Sequence, residues 1–172
     1  MKDVYRMKRL LKLIKYICLL LVILIVLSFV IVPGKFGKLH GPYDVIRVID
    51  GDTLIADIEG KEVILRFCNL DTPESKNPNE SKNTPEGKVA SNYTKELLTG
   101  KKIYVEYAID RTDKYGRTLA YLYTEDKECV QTLILRDGMA GTLFIFPNHL
   151  PYALYFKRIE ITARLKGEGF WY

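Results

Sequence analysis

The stretch VILRFCNLDTPES, residues 63–75, decides the reading of this chain. Val, Ile, Leu and Phe in alternation mark a strand, yet Arg66 stands in its middle and the run ends on Asp71 and Glu74 around Thr72-Pro73. On strand alternation Arg66 shares a face with Ile64, Cys68 and Leu70. A guanidinium there either reaches solvent as an edge-strand residue or finds an anion, because an unpaired buried charge is costly. Upstream, YDVIRVI (43–49) and DTLIADI (52–58) read as two further strands. They meet around Asp50-Gly51, and the second meets KEVILRFCNL (61–70) around Glu59-Gly60, which makes a meander with tight turns.

Residues 74–84, ESKNPNESKNT, form a polar loop without core-forming side chains. Thr84-Pro85-Glu86 then supplies an N-cap, a first-turn proline and an acidic first turn. Val89, Tyr93 and Leu97 follow at helical spacing, and Thr99-Gly100 closes the helix. KIYVEYAI and TLAYLY give a fourth and fifth strand around the loop DRTDKYGR, and two helical segments follow, CVQTLILRDGM and Leu154–Lys166. In the last of these Tyr155, Ile159 and Ala163 share a stripe. Five strands with a helix between the third and fourth predict an α+β chain built on a five-stranded OB-fold barrel with three helices.

The chain has 172 residues and a formal charge of +5, but the excess is local. Lys2, Arg6, Lys8, Arg9, Lys12 and Lys15 lie in the first fifteen residues against Asp3 alone, and the remainder balances twenty basic against twenty acidic residues. Anion binding by the domain must therefore come from a local cluster or a metal and not from a global positive field. After the basic segment comes YICLLLVILIVLSFVIV, residues 16–32, uncharged and apolar on all sides. As a helix it rises roughly 26 Å, the lower end of what spans a bilayer. The alternatives are an uncleaved anchor and a cleaved signal; the length, and a flank of Val30-Ile31-Val32-Pro33-Gly34 lacking a small-x-small cleavage site, favour the anchor. The expected organisation is a basic cytoplasmic segment (1–15), a transmembrane anchor (16–32), a linker (33–41) and the OB-fold domain (42–172). The positive flank places the N-terminus in the cytoplasm and the domain outside the cell membrane; the alternative is secretion after signal cleavage.

Histidine chemistry has little to work with, since His40 sits in the linker and His149 beside Pro147-Asn148. Cys18, Cys68 and Cys129 show no metal-ligand spacing. What remains is oxygen and guanidinium. Asp50 and Asp52 flank Gly51 and are either a plain hairpin turn or hard-oxygen donors; with Asp71 and Thr72 at the end of strand three they would suit Ca²⁺ or Mg²⁺. Arg117 ends the KYGR loop, where Gly116 permits an unusual backbone turn.

VIDGDT (48–53), LRFCNLDTPES (65–75) and RTDKYGRTLAY (111–121) together resemble, in order and separation, the signature segments of the staphylococcal nuclease family, and the resemblance spans about residues 42–172. It implies a Ca²⁺-dependent phosphodiesterase acting on DNA and RNA and leaving 3′-phosphate ends. By position it makes Asp52, Asp71 and the Thr72 carbonyl calcium ligands, with Asp50 a supporting acid. Glu74 becomes the general base, and Arg66 and Arg117 the phosphate-holding pair. Lys114 and Tyr115 become contacts to a terminal phosphate. Phe144 and Phe146 stand where the family commonly has two tyrosines; they keep base stacking and lose the hydroxyls. The alternative reading is a nuclease-like module that binds nucleic acid without cutting it. The substrate and the membrane are the only partners implied.

Overall fold

The structure is a computed structural model and describes residues 2–35, 37–76, 79–145 and 152–171. A long helix α1 (Lys2–Val30) precedes β1 (His40–Asp50), β2 (Thr53–Ile58), β3 (Lys61–Phe67) and a short β4 (Leu70–Asp71). Then come α2 (Pro85–Leu98), β5 (Lys102–Thr112), β6 (Thr118–Tyr123), α3 (Val130–Arg136), β7 (Gly141–Thr142) and α4 (Ala153–Lys166). Strands β1, β2, β3, β6 and β5 close into a barrel in that order, with β3 and β6 parallel and the other pairs antiparallel. This is the five-stranded OB-fold that the strand pattern predicts, with three helices packed on it and α1 ahead of it. Tyr5–Val30 of α1 is the one helix among the described residues long and apolar enough to cross a membrane.

The turns follow their residues. Asp50 pairs with Thr53 across Gly51-Asp52, and Ile58 pairs with Lys61 across Glu59-Gly60, both of which have positive φ (55° and 80°) as a two-residue hairpin of primed type demands. Register shifts in β1 bend that strand so that one element pairs with both β2 and β5. Leu54, Leu65, Phe67, Ile103, Val105, Ala120 and Leu122 fill the barrel, and Tyr121, Tyr123, Tyr152 and Phe156 extend the core under α4. Glu106 enters this core as a buried acid because the Tyr123 and Tyr152 hydroxyls both donate to it.

Two details depart from the sequence reading. The expected single strand 61–70 breaks at Asn69, whose φ of 58° turns the chain; Cys68 and Leu70 are consequently buried and do not share the outer face of Ile64 and Arg66. The buried face of α2 is Gly87, Ala90, Ser91, Thr94 and Leu98, and Val89 is exposed. Small residues let that helix approach the barrel, a close fit that a search for large apolar residues at helical spacing does not detect. The N-cap is as expected: Thr84 Oγ1 accepts from Gly87 N–H at 3.0 Å, with Pro85 in the first turn. Cys68 and Cys129 are both buried and both free.

Helix α4 is fastened to the barrel through a buried acid, Glu160. Its carboxylate accepts from Lys157 Nζ (2.8 Å), from Arg164 Nη2 (2.6 Å) and from the Thr142 hydroxyl of β7. Burial alone would raise its pKa, but these donors outweigh burial and lower it from 4.5 to about 2. Because the folded-state value lies below the ordinary one, this stabilisation is complete above about pH 4.5 and is lost as pH falls toward 2. Lys157 and Arg164 are half exposed, so solvent screening leaves about 1–2 kcal/mol of it. Glu160→Gln should therefore be less stable than the parent at neutral pH by that amount. Urea unfolding of both proteins across this acid range should show the difference shrinking toward the low end.

Candidate active site

The break at Asn69 sets up the site. It ends β3 just after Arg66 and redirects the chain so that Asp71 returns past the guanidinium. Arg66 occupies a central strand, paired with Thr53 on one side and Leu119 on the other, so the edge-strand reading of it does not apply. Its side chain is 12% exposed, and Nη1 lies 2.8 Å from Asp52 Oδ2 while Nη2 lies 3.2 Å from Asp71 Oδ1. Nη1 also donates to the Leu70 carbonyl at 3.0 Å. One guanidinium thus joins three segments that are remote in sequence: the β1–β2 turn, the end of β3 and β4.

Asp52 is the deepest charged group of the cluster. Beyond Arg66 it accepts from the Thr53 hydroxyl (2.9 Å) and from both the backbone N–H and the hydroxyl of Thr72 (3.2 Å each). Burial pushes its carboxyl above the ordinary value; Arg66 and these hydrogen bonds act against that rise. Asp71 is the outer partner, with 61% of its side chain exposed. Asp50 serves the neighbouring loop: its carboxylate accepts from the Gly51 N–H (2.8 Å), the Ser75 hydroxyl (2.7 Å) and the Ser75 N–H (3.3 Å). Asp50 therefore tethers the residue beside Glu74.

An open cleft brings these residues together. It is lined by Asp50, Asp52, Arg66, Thr72 and Glu74 on one side and by Tyr115 and Arg117 on the other. A second cleft adjoins it, sharing Arg66, Tyr115 and Arg117, and runs along residues 109–115 to Leu143 and Ile145. Lys114 and Tyr115 line this second cleft. Phe144 lies between two lining residues but is itself turned outward, 55% exposed, and lines neither cleft. Phe146, the other aromatic position singled out in the sequence, lies outside the described residues.

Sequence reasoning passed over Asp113, which organises the Arg117 side of the site. Its carboxylate accepts from the backbone N–H groups of Tyr115 and Arg117 (2.9 Å each) and from Arg117 Nε (2.7 Å). Burial works to raise its pKa, and these donors together lower it. The Arg117 guanidinium also lies 5.3 Å from the Tyr115 ring centroid. The available signal was the spacing Asp-x-x-x-Arg across a Gly-bearing turn, where a side-chain acceptor closing the loop is a common device.

The donor set fits a hard divalent cation. Two carboxylates, Asp52 and Asp71, lie one guanidinium apart and the Thr72 carbonyl is available beside them; all are oxygen donors. Among the described residues no group of three or more His, Cys, Asp or Glu side chains is placed to hold a metal, which argues against a nitrogen- or sulfur-ligated ion. Such a site would draw on the backbone carbonyl and water for its remaining ligands, as Ca²⁺ sites do.

With this geometry in hand, comparison with known proteins is decisive. A family model described as "Staphylococcal nuclease homologue" matches residues 64–172. The chain belongs to the staphylococcal nuclease family. It is 45% identical over 118 residues to the thermonuclease of Staphylococcus hyicus, covering 69% of this chain and 66% of that one. It is 40% identical over 129 residues to the thermonuclease of Staphylococcus intermedius, covering 75% of each chain. The endonuclease YncB of Bacillus subtilis is 37% identical over 126 residues, and the chain spans 59% of its length.

The position of Glu74 within this family fold rests on a glycine. A Cβ on Gly87, in the first turn of α2, would meet the Glu74 carbonyl oxygen at 2.1 Å and the Pro73 carbonyl oxygen at 2.8 Å. The DTPE loop is packed directly on helix backbone, and the Thr84 N–H donates to the Glu74 carbonyl at 2.9 Å. Gly87→Ala should therefore destabilise the fold, although alanine is the better helix former by about 1 kcal/mol. A rise in thermal midpoint would contradict this packing.

Proposed function

We propose that this chain is a calcium-dependent nuclease that hydrolyses phosphodiester bonds of DNA and RNA, held at the outer face of the cell membrane by its N-terminal helix. The observation that carries the reading is that Arg66, Arg117 and Glu74 line one cleft with Asp52. Such a cleft suits a phosphodiester, whose negative charge must be met by cations while water attacks phosphorus.

Arg66 and Arg117 have the roles of pairing with the phosphoryl oxygens, where planar guanidinium groups can engage two oxygens at once and follow the charge that builds during attack. Each is held in place by a carboxylate, Arg66 by Asp52 and Arg117 by Asp113, so little reorganisation is required when the phosphate arrives. Glu74 takes the proton of the attacking water, and its loop is fixed by the Asp50–Ser75 bonds and by α2. Asp52, Asp71 and the Thr72 carbonyl would hold the cation, which when bound supplies neutralisation of the phosphate charge. The 5′-oxygen is the leaving group, and the product carries a 3′-phosphate. Lys114 and Tyr115 contact a flanking phosphate from the adjoining cleft.

The membrane part rests on α1. Its apolar stretch is contiguous with five basic residues from Arg6 to Lys15, so positive charge flanks only the N-terminal end of the span. The units would be a cytoplasmic segment 1–15, an anchor 16–32, a linker 33–41 and the nuclease domain 42–172.

The full chain in detergent should cleave single-stranded DNA when Ca²⁺ is added and stop when a chelator is in excess. Glu74→Gln should slow cleavage by roughly 10²–10⁴-fold with an unchanged unfolding midpoint. Asp113→Asn should reduce cleavage less severely, mainly by misaligning Arg117. Intact DNA after incubation of the well-folded parent with Ca²⁺ would sink the catalytic reading and leave a binding module.

A further inference from the structure

Helix α4 has a second apolar stripe that the barrel does not use. Phe156, Glu160 and Ala163 face the core, whereas Leu154, Ile161 and Leu165, spaced i, i+7 and i+11, lie on the opposite side and are 40%, 47% and 83% exposed. The helix also carries Lys157, Arg158, Arg164 and Lys166 against Glu160 alone, within a domain whose charges otherwise balance. An outward apolar stripe edged by basic side chains is the pattern of a helix lying in a membrane interface.

Its position agrees. The C-terminal part of α1 runs beside this stripe: Leu21, Leu24, Ile25 and Ser28 line one wall of a shallow apolar groove, and Leu154, Lys157, Arg158, Ile161 and Thr162 line the other. The Arg158 guanidinium stacks on Phe29 at 4.1 Å, and its Nε is buried with no hydrogen-bond partner among the described residues. Whatever medium surrounds the exposed side chains of α1 at this level must also meet α4. A groove with apolar walls and an unsatisfied guanidinium nitrogen at its edge suits a phospholipid, acyl chain inward and phosphate on the arginine.

We infer that α4 docks the nuclease domain on the outer membrane surface, its stripe against the lipid and Arg158 and its basic neighbours on anionic headgroups. This rests on the reading of α1 as a retained anchor. The partner is the anionic bilayer itself, and the domain then sits flat against it and does not swing freely on residues 31–39.

The test uses the full chain with Cys18→Ser and Leu165→Cys, labelled with a nitroxide; Cys68 and Cys129 are buried and spared. The protein is reconstituted into phosphatidylcholine vesicles with and without phosphatidylglycerol, and flotation and the label's access to oxygen and to a water-soluble nickel chelate are measured. With phosphatidylglycerol present, oxygen access should exceed chelate access. Ile161→Glu or Arg158→Gln should reverse that order while flotation persists, with cleavage of a soluble oligonucleotide showing that each variant is folded. A label that stays chelate-accessible in all vesicles that float overturns the docking and leaves the anchor standing. Protein that fails to float overturns the anchor, and the docking with it.

Discussion

A guanidinium that is almost wholly removed from water cannot stay unpaired, and this constraint at Arg66 organises the rest of the site. Arg66 needs Asp52 and Asp71; Asp52, buried in turn, needs Arg66 and three donors from Thr53 and Thr72. The β1–β2 turn, the end of β3 and β4 must all arrive at one place for either charge to be tolerated. The arrangement is locally balanced, which explains how a formally neutral domain can carry a pocket for a phosphodiester. The field that matters acts over a few ångströms between placed groups and does not come from net charge.

Around that pair the structure holds its loops from behind. Thr94 of α2 donates to the Gly51 carbonyl at 2.8 Å and so fixes the turn that carries Asp52. Gly87 lets the DTPE loop rest on the same helix. On the other flank Glu160 grips Thr142, and β7 pairs with β4, setting Gly141 opposite Asp71. Two helices that contain none of the reacting groups thereby hold the strands and loops that do. The Arg117 side is built differently, as a self-closed loop around Asp113.

Helix α4 is therefore two-faced in a specific sense. Its inner side supports the active site through Glu160, while its outer stripe runs beside the apolar helix that precedes the domain. If the outer face meets lipid, the membrane bears on an element only three links from Asp71: Glu160, Thr142 and the β4–β7 pair. The balance of charge along the chain fits this division of labour, with positive excess at the two helices that approach the bilayer and none on the barrel.

Much of this was legible in the sequence. Alternation in the strands, Glu59-Gly60 at a primed turn and Thr84-Pro85 at a helix start are local effects, decided by sterics and hydrogen bonds within a few residues. They determine the order of elements and hence the barrel, and three motifs in order name the family. Tertiary structure alone decided the partners. Nothing local shows that Asn69 would end β3 and return Asp71 to Arg66, that α2 would turn small residues inward, or that Asp113 would clasp Arg117. Nor does spacing show that Phe144 would point away while its neighbours line the cleft. Those outcomes depend on closing a barrel through contacts some tens of residues apart, where burying a charge or a polar group is tolerable only if its counterpart is delivered by another segment.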